Sequence, residues 1–225
     1  MDELRREAAE VRASRARVIN AADDQRRSIE RELHQGAMQH LVAFGVNLQL
    51  AAELVPSDSP ELTELLGEML RNVHEALDEM RQLAWRIYPS LLLDCGLGDA
   101  LRTAATDAGI PVRVETAAFG RCAAAIEASV YFCCVELLRH AAEDGHDATV
   151  RLWSEHEQLR FDVTLESADM ELWQTRDLSS VSDRLVAFGG RLVVEPERGV
   201  RISGAIPLTT AAQGVIADPC PTSAR

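Results

Sequence analysis

The first quarter of the chain carries apolar residues at helical spacing. Leu4, Val11 and Val18 lie seven residues apart, which is the spacing of a coiled coil. The stripe resumes eleven residues later, an offset that corresponds to a four-residue stutter in a heptad pattern. Its members are Ile29, Leu33, Ala37, Leu41, Phe44, Leu48 and Ala51. The pattern therefore predicts one long helix over residues 1–55.

A second amphipathic helix is predicted after a break at residues 55–62. The break contains two prolines, and Ser57 or Asp58 can cap the helix that follows. Its apolar residues alternate at spacings of three and four: Leu62, Leu66, Met69, Val73, Ala76, Met80, Ala84 and Ile87. Two such helices with a short connection predict an antiparallel hairpin, and its wide apolar stripe predicts that two hairpins pair as a four-helix bundle. The alternative is a monomer whose hairpin packs against the C-terminal part.

After Tyr88-Pro89 the pattern changes from purely helical to mixed α/β. Helices are predicted near 98–108, 123–143 and 181–188, and strands at 110–116, 148–155, 159–166, 191–196 and 200–208. This order of strands and helices predicts a sheet with helices on one face. The tail, residues 209–225, is rich in small and turn-forming residues and is predicted to be flexible.

Composition excludes several classes of function. The chain has 225 residues and a net charge of −13, which is unfavourable for phosphate contacts, so no nucleic-acid binding is predicted. No apolar run reaches the length of about 18 residues that suggests a membrane span. The charged N-terminus is unlike a signal peptide. We expect a cytoplasmic protein, which can be the cytoplasmic part of a longer sensor. Cys133 and Cys134 are predicted to be buried, reduced thiols.

A metal site is considered around His140 and is not predicted. Glu136 lies four residues earlier, so the two side chains share a helix face. The further candidate ligands are Asp144, His146 and Asp147. They belong to a flexible segment, and no second close pair fixes a coordination geometry.

Three segments, in the same order, resemble sensor histidine kinases of the NarX/DesK-like group. RRSIERELHQGAMQHLVAFGVNLQLA, at 26–51, resembles the histidine-bearing helix. MRQLAWRIYPSLLLDCGLGDAL, at 80–101, resembles the second helix and its connection to the ATP-binding domain. DRLVAFGGRLVVEPERGVRISGAIPL, at 183–208, resembles the end of that domain. The resemblance implies a helical hairpin that dimerises as a four-helix bundle, followed by a Bergerat-type α/β sandwich.

The resemblance also implies a domain organisation. It comprises a signalling coiled-coil helix (1–22), a dimerisation and histidine-phosphotransfer hairpin (23–89), a degenerate ATPase-like domain (90–208) and the flexible tail (209–225).

In the hairpin, the resemblance assigns the role of phospho-acceptor to His34. An acidic residue follows this histidine in the family and activates the imidazole, but here Gln35 replaces it. Gln39 stands where the group carries a glutamine that orients water for dephosphorylation of the partner. The alternative for His34 and Gln39 is that both are solvated helix-surface residues.

In the ATPase-like domain, the resemblance places a Glu-x-x-x-Asn motif on VELLRHAAEDG. Glu136 is retained, but His140 occupies the position of the Mg²⁺-binding asparagine, and imidazole is a poor ligand for this hard cation. The Lys-His pair of the family is replaced by Glu143-Asp144.

The nucleotide-binding loop departs from the family as well. Asp169 is the candidate for the adenine-binding aspartate, but no glycine lies between Gly145 and Gly189 to allow close backbone approach to phosphates. We therefore expect a vestigial nucleotide site and no bound cofactor, although the family uses ATP and Mg²⁺.

These observations predict a two-component signalling protein without ATP-dependent autokinase activity. It would act as a histidine phosphotransferase or phosphatase toward a response-regulator receiver domain, as a homodimer or as a heterodimer with a related kinase. One alternative is a non-enzymatic pseudokinase that binds a kinase or a response regulator. The other is an active sensor histidine kinase with a remodelled ATP site.

Overall fold

The computed structural model describes residues 2–55, 59–117 and 119–208. The chain divides into two compact units. One is Ala22–Ser90, and the other begins at Leu91 and includes the helical segment up to Ala21. The predicted flexible tail and the candidate caps Ser57 and Asp58 lie outside the described residues. Within those residues, no helix is both long and apolar enough to cross a bilayer.

The hairpin is built from two long helical segments. Helix α1 (Asp2–Glu32) continues through a π-helical turn (Leu33–Ala37), which we call the π-turn, into α2 (Met38–Glu53). Helix α3 (Pro60–Ile87) begins with a proline in its first turn, where a missing N–H is tolerated, and ends before Tyr88-Pro89. The predicted helices are confirmed, but the π-turn was not expected.

The apolar stripe of the hairpin differs from the predicted one. The buried cluster between α2 and α3 consists of Met38, Leu48, Val73, Leu77 and Ala84, with Leu41, Leu66, Leu70 and Met80 packed against it. Ile29, Ala37, Phe44, Leu62 and Met69 of the predicted stripe are exposed in the single chain. Because a second hairpin was predicted to cover part of this stripe, its coverage stays a prediction. At Ala37 the reason is the π-turn: it inserts one residue into the helical repeat, so the inward position after Leu33 falls on Met38 instead of Ala37.

The hairpin leaves a second apolar surface uncovered. Large hydrophobic side chains exposed on α2 are Val42, Phe44, Val46, Leu50 and Leu54. On α3 they are Leu62, Leu65, Met69 and Leu83. Val42, Val46, Leu50 and Leu54 recur every four residues and therefore lie along one side of α2. An exposed apolar row of this kind is unusual for an isolated soluble protein and marks an interaction surface.

The second unit is an α/β sandwich. Its helices are α4 (Ser90–Asp94), α5 (Leu97–Thr106), α6 (Ala124–Asp144), α7 (Met170–Thr175) and α8 (Ser179–Ala187). Its strands are β1 (Val112–Thr116), β2 (Ala148–Glu155), β3 (Gln158–Glu166), β4 (Arg191–Glu197) and β5 (Gly199–Pro207). All predicted strands and helices are present, whereas the short helices α4 and α7 were missed.

The five strands form one mixed sheet in the order β1-β2-β3-β5-β4. Strand β1 runs parallel to β2, with Val114 opposite Val150, and the remaining pairs are antiparallel. A parallel pair needs a crossover connection, and α6 supplies it. The tight β2–β3 turn places His156 and Glu157 at positive φ.

The core of the sandwich lies on one face of this sheet. Alternate residues of three central strands are fully buried: Val150, Leu152, Leu159, Phe161, Val163, Leu165, Val200, Ile202 and Ile206. The inward face of α6 is buried as well, including Cys133, Cys134, Leu137 and Ala141. The predicted fold class is therefore confirmed: a helical hairpin is followed by an α/β sandwich. The two adjacent cysteines are buried, as predicted, and within the described residues neither belongs to a disulfide bond.

Candidate functional site

His34 lies within the π-turn and its side chain is exposed. The backbone N–H of Met38 donates to the carbonyl oxygen of Leu33, so this hydrogen bond joins residues five apart instead of the four of an α-helix. Single turns of this type are rare in helices and occur frequently at functional sites. No side chain in the described part of the chain is hydrogen-bonded to the His34 imidazole, which leaves it open to a partner.

Gln35 and Gln39 follow His34 along the same helical stretch. Both side chains are exposed, Gln35 within the π-turn and Gln39 in the first turn of α2. The structure therefore brings the three residues predicted for phosphoryl chemistry to one solvent-accessible segment. The amide of Gln35 is neutral, so it supplies no charge that would stabilise an imidazolium.

The second predicted group lies in the last turns of α6. His140 is largely buried, with its Nε2 3.5 Å from Glu136 Oε1 and its Nδ1 3.2 Å from Glu143 Oε2. Arg139 donates to both carboxylate oxygens of Glu136, at 2.8 and 3.3 Å. These hydrogen bonds lower the pKa of the Glu136 carboxyl. Glu136 and His140 thus share a face, as predicted, within a network of ion pairs.

Arg176, which follows α7, completes this network from a distant part of the sequence. Its Nη2 donates to the two carboxylate oxygens of Asp144 at 2.8 and 2.7 Å, and its Nη1 lies 2.9 Å from His140 Nδ1. The Arg176 donor and the Glu143 carboxylate thus both approach Nδ1 of His140, the first needing a lone pair there and the second a proton. The guanidinium also lies over the ring of Trp173, 4.8 Å from its centroid.

Trp173 anchors the same segment in the core. Its side chain is fully buried, and the ring of His140 meets it edge-on with centroids 6.3 Å apart. Sequence reasoning overlooked Arg176, which lies three residues after Trp173. The available signal was their spacing of three residues within a glycine-free loop, which suits a short helix.

Asp169 has a structural role at the start of α7. Its carboxylate accepts a hydrogen bond of 2.9 Å from the backbone N–H of Glu171, which is the contact of an N-cap. Within the described residues, no hydrogen bond connects Asp169 with Glu136 or His140. Of the three residues predicted for a vestigial nucleotide site, Glu136 and His140 lie together and Asp169 does not. Arg176 is the further residue that contacts His140.

A further concave region lies on the sheet face opposite α6. It has a volume of about 660 Å³, and its floor includes the small residues Ser203 and Ala205 of β5. Arg151 and Asp162 form a bidentate ion pair there at 2.9 and 3.0 Å. Arg160 and Arg201 pair with Glu155 and Glu197 at its border, so this surface is a solvated polar sheet face of the kind that antiparallel sheets tolerate.

Comparison with known proteins identifies the hairpin. Residues 25–92 match the HisKA_3 family model, described as histidine kinase. The matched span contains the π-turn, both helices that form the buried cluster, and all three residues of the predicted phosphoryl site.

Relatives with curated names extend the similarity along the chain. Sensor histidine kinase MctS of Rhizobium johnstonii is 25% identical over 88% of this chain and 46% of its own length. The signal transduction histidine-protein kinase/phosphatase DegS of Brevibacillus brevis is 24% identical over 91% of this chain and 56% of its own. The oxygen sensor histidine kinase NreB of Staphylococcus carnosus is 32% identical over 39% of this chain and 24% of its own.

The chain spans about half the length of the first two relatives and about a quarter of the third. The similarity to MctS and DegS covers both units, and the similarity in the hairpin includes the segment around His34. Residues 25–92 therefore form a histidine kinase domain of the HisKA_3 family, and over both units the chain is similar to sensor histidine kinases.

Proposed function

We propose that this protein handles phosphoryl groups through His34 without using ATP, as a phosphotransferase or phosphatase toward a response-regulator receiver domain. The observation that carries the proposal is the network at the end of α6. There, the polar groups that a nucleotide would need are already bound to one another by Arg176, Asp144 and His140.

The charge of this network is unfavourable for a triphosphate. Two arginines, Arg139 and Arg176, face three carboxylates, those of Glu136, Glu143 and Asp144. These two arginines and three carboxylates sum to one net negative charge, which repels phosphate oxygens. The residues also fail to suit Mg²⁺, because His140 offers a nitrogen and each carboxylate already accepts from an arginine. The site therefore does not fit ATP and Mg²⁺.

The loop that would close over a nucleotide is held in another role. Asp169 caps α7, and Trp173 and Arg176 attach the segment to α6. Nucleotide binding would require these contacts to break. Their loss would leave Asp144 and His140, both largely buried, without their cationic partner.

The chemistry at His34 needs no nucleotide site. In phosphotransfer, an imidazole nitrogen attacks the phosphorus of an aspartyl phosphate, the N–P bond forms, and the aspartate leaves as a carboxylate as the P–O bond breaks. In hydrolysis, water forms the new bond to phosphorus and inorganic phosphate is released. Gln39 can orient that water through its amide oxygen. The absence of an acid at Gln35 favours hydrolysis, since His34 is then less activated as a nucleophile.

The exposed apolar surface of the hairpin supports a dimer. The second copy would cover Val42, Val46 and Leu50 of α2 with the same residues of its own hairpin, as two-fold symmetry requires. A related kinase with a similar hairpin could take the place of the second copy.

The test uses receiver domains labelled with ³²P from acetyl phosphate. The proposal expects either acid-labile label on the protein, lost in His34→Ala, or faster release of inorganic phosphate from the receiver, lost in Gln39→Ala. Calorimetry with ATP and Mg²⁺, followed by an assay for label on His34, tests the alternative. Micromolar binding of ATP together with autophosphorylation of His34 would overturn the proposal.

A further inference from the structure

The π-turn changes which residues share a face with His34. In a regular α-helix, residues five apart are separated by about 140° around the axis, so they project in different directions. In an α-helix, residue i+4 projects within about 40° of residue i. A π-helical turn contains one additional residue, so across it residue i+5 takes this position instead. The Met38 to Leu33 hydrogen bond produces this geometry immediately before Gln39.

The burial pattern agrees with this rotation. Leu33 is half-buried, the next buried residue is Met38, five positions on, and Leu41, Gly45 and Leu48 then follow at spacings of three and four. The five-residue step occurs across the π-turn alone. His34 directly follows Leu33, and Gln39 directly follows Met38. Both side chains therefore border the buried stripe on the same side.

Packing does not explain the glycine in this turn. A Cβ placed on Gly36 would meet nothing within 4 Å. By contrast, Gly45 in α2 faces Val73, whose Cγ1 would lie 3.5 Å from such a Cβ. Gly36, at the centre of the π-turn, is therefore not needed to make room for a packed neighbour.

We propose that the π-turn at Leu33–Ala37 is a positioning element that places the Gln39 amide on the same face as the His34 imidazole. A phosphoryl group docked at His34 would then lie within reach of the amide that orients water. The catalytic meaning of this alignment rests on the proposed function, but the alignment itself can be tested separately.

The first experiment converts the pair into a metal chelate. In a His40→Ala background, Gln39→His places imidazoles at positions 34 and 39. If they share a face, the pair binds Ni²⁺ in a bidentate manner, roughly tenfold more tightly than a single imidazole, and Ni²⁺ raises the melting temperature of the protein. Binding no tighter than that of the His40→Ala protein, which retains His34 alone, would overturn the alignment.

Matched pairs in the regular part of α2 calibrate the measurement. Asn47→His with Ala52→His, five residues apart and both exposed, should show no chelation when His34 is replaced by alanine. Ala43→His with Asn47→His, four apart, should show it. Equal Ni²⁺ binding by the five-apart pair in regular helix would mean that the π-turn is not needed, which contradicts the proposal.

The second experiment reads out the reaction. Gln39→Ala should slow phosphate release from the ³²P-labelled receiver, and moving the glutamine by one residue, in Gln39→Ala/His40→Gln, should not restore it. Restored release would overturn the positioning role. If chelation is observed but no variant or wild-type protein affects the receiver, the proposed function fails and the alignment stands. If Gln39 is required but chelation is absent, the alignment fails and the proposed function stands.

Discussion

Arg176 and Asp144 join two segments that lie 32 residues apart in the sequence, through Nη2–oxygen distances of 2.8 and 2.7 Å. Both side chains are largely buried, with 15% and 16% of their surface exposed. The same guanidinium contacts Trp173, so a single side chain connects the end of α6 with the segment after α7.

Replacing Arg176 by alanine should destabilise the sandwich by about 1–3 kcal/mol, because it leaves the Asp144 carboxylate without its donor. Urea denaturation followed by circular dichroism measures the change, and tryptophan fluorescence reports the environment of Trp173. Arg139→Ala is the control: this arginine is half exposed, and its loss should cost about 0.5 kcal/mol or less. An equal loss of unfolding free energy in the two variants would show that the buried Arg176–Asp144 contact stabilises the sandwich no more than an exposed ion pair does.

Sequence periodicity was sufficient to predict the regular elements of both units. Strands and long helices follow alternation and three-four spacing, which depend on local burial alone. The contact of Arg176 with His140 could not be predicted in this way, since it depends on the folding of a loop 36 residues away along the chain. The sequence does show that this loop lacks glycine, and the altered nucleotide loop inferred from that stays a prediction.

The stripe of α2 shows where periodicity alone misleads. Assuming a regular helix placed Ala37 inside, whereas the larger apolar side chain of Met38 is the buried one. Choosing Met38 requires a step of five residues from Leu33, which a regular helix does not allow. The energetic preference for burying the larger side chain is the signal that could have revealed the π-turn.

The pH dependence of stability should reflect Glu136. Hydrogen bonds from Arg139 lower the pKa of this carboxyl below its ordinary value of 4.5, so the ionised form stabilises the folded protein. That contribution is present above pH 4.5 and is lost as the pH falls through the lowered folded-state pKa. Glu136→Gln should therefore be less stable than wild type at pH 7, by about 0.2–1 kcal/mol given its exposure.

The two proteins should converge as the pH is lowered, because the wild-type carboxyl then also becomes neutral. Denaturation curves at several pH values measure the difference. A deficit of constant size down to acid pH would show that Glu136 acts through packing and not through its charge.

Dimerisation should depend on the exposed surface of α2 and not on the buried cluster. Leu50→Glu places a charge on exposed apolar surface, so the hairpin should keep its helicity while the dimer dissociates. Light scattering after size exclusion gives the mass. Gln49→Glu, at the neighbouring exposed position, is the control for added charge. A charge at Val73, within the cluster, should instead unfold the hairpin.

The sandwich should not tolerate a side chain at Gly204. This residue of β5 faces the ring of Phe161 on β3, and a Cβ would overlap that fully buried ring. Gly204→Ala should therefore cost about 1–3 kcal/mol through overpacking. Gly120→Ala is the matched control, since nothing lies within 4 Å of its Cβ position. Comparable stability of the two variants in urea would contradict the tight packing of β3 and β5.

Deletion of Gly36 tests whether the π-turn carries one surplus residue. Removing it should convert the segment into regular α-helix while α1 and α2 keep their registers against α3, because the insertion is confined to this turn. The variant should be as stable as wild type or slightly more stable, since it loses a glycine from a helix interior. Deletion of Ala43, an exposed residue in regular helix, is the control: it rotates Leu48 by about 100° out of the buried cluster and should be strongly destabilising. Thermal melts of both deletions compare them directly, and equal destabilisation would mean that residues 33–37 behave as ordinary α-helix.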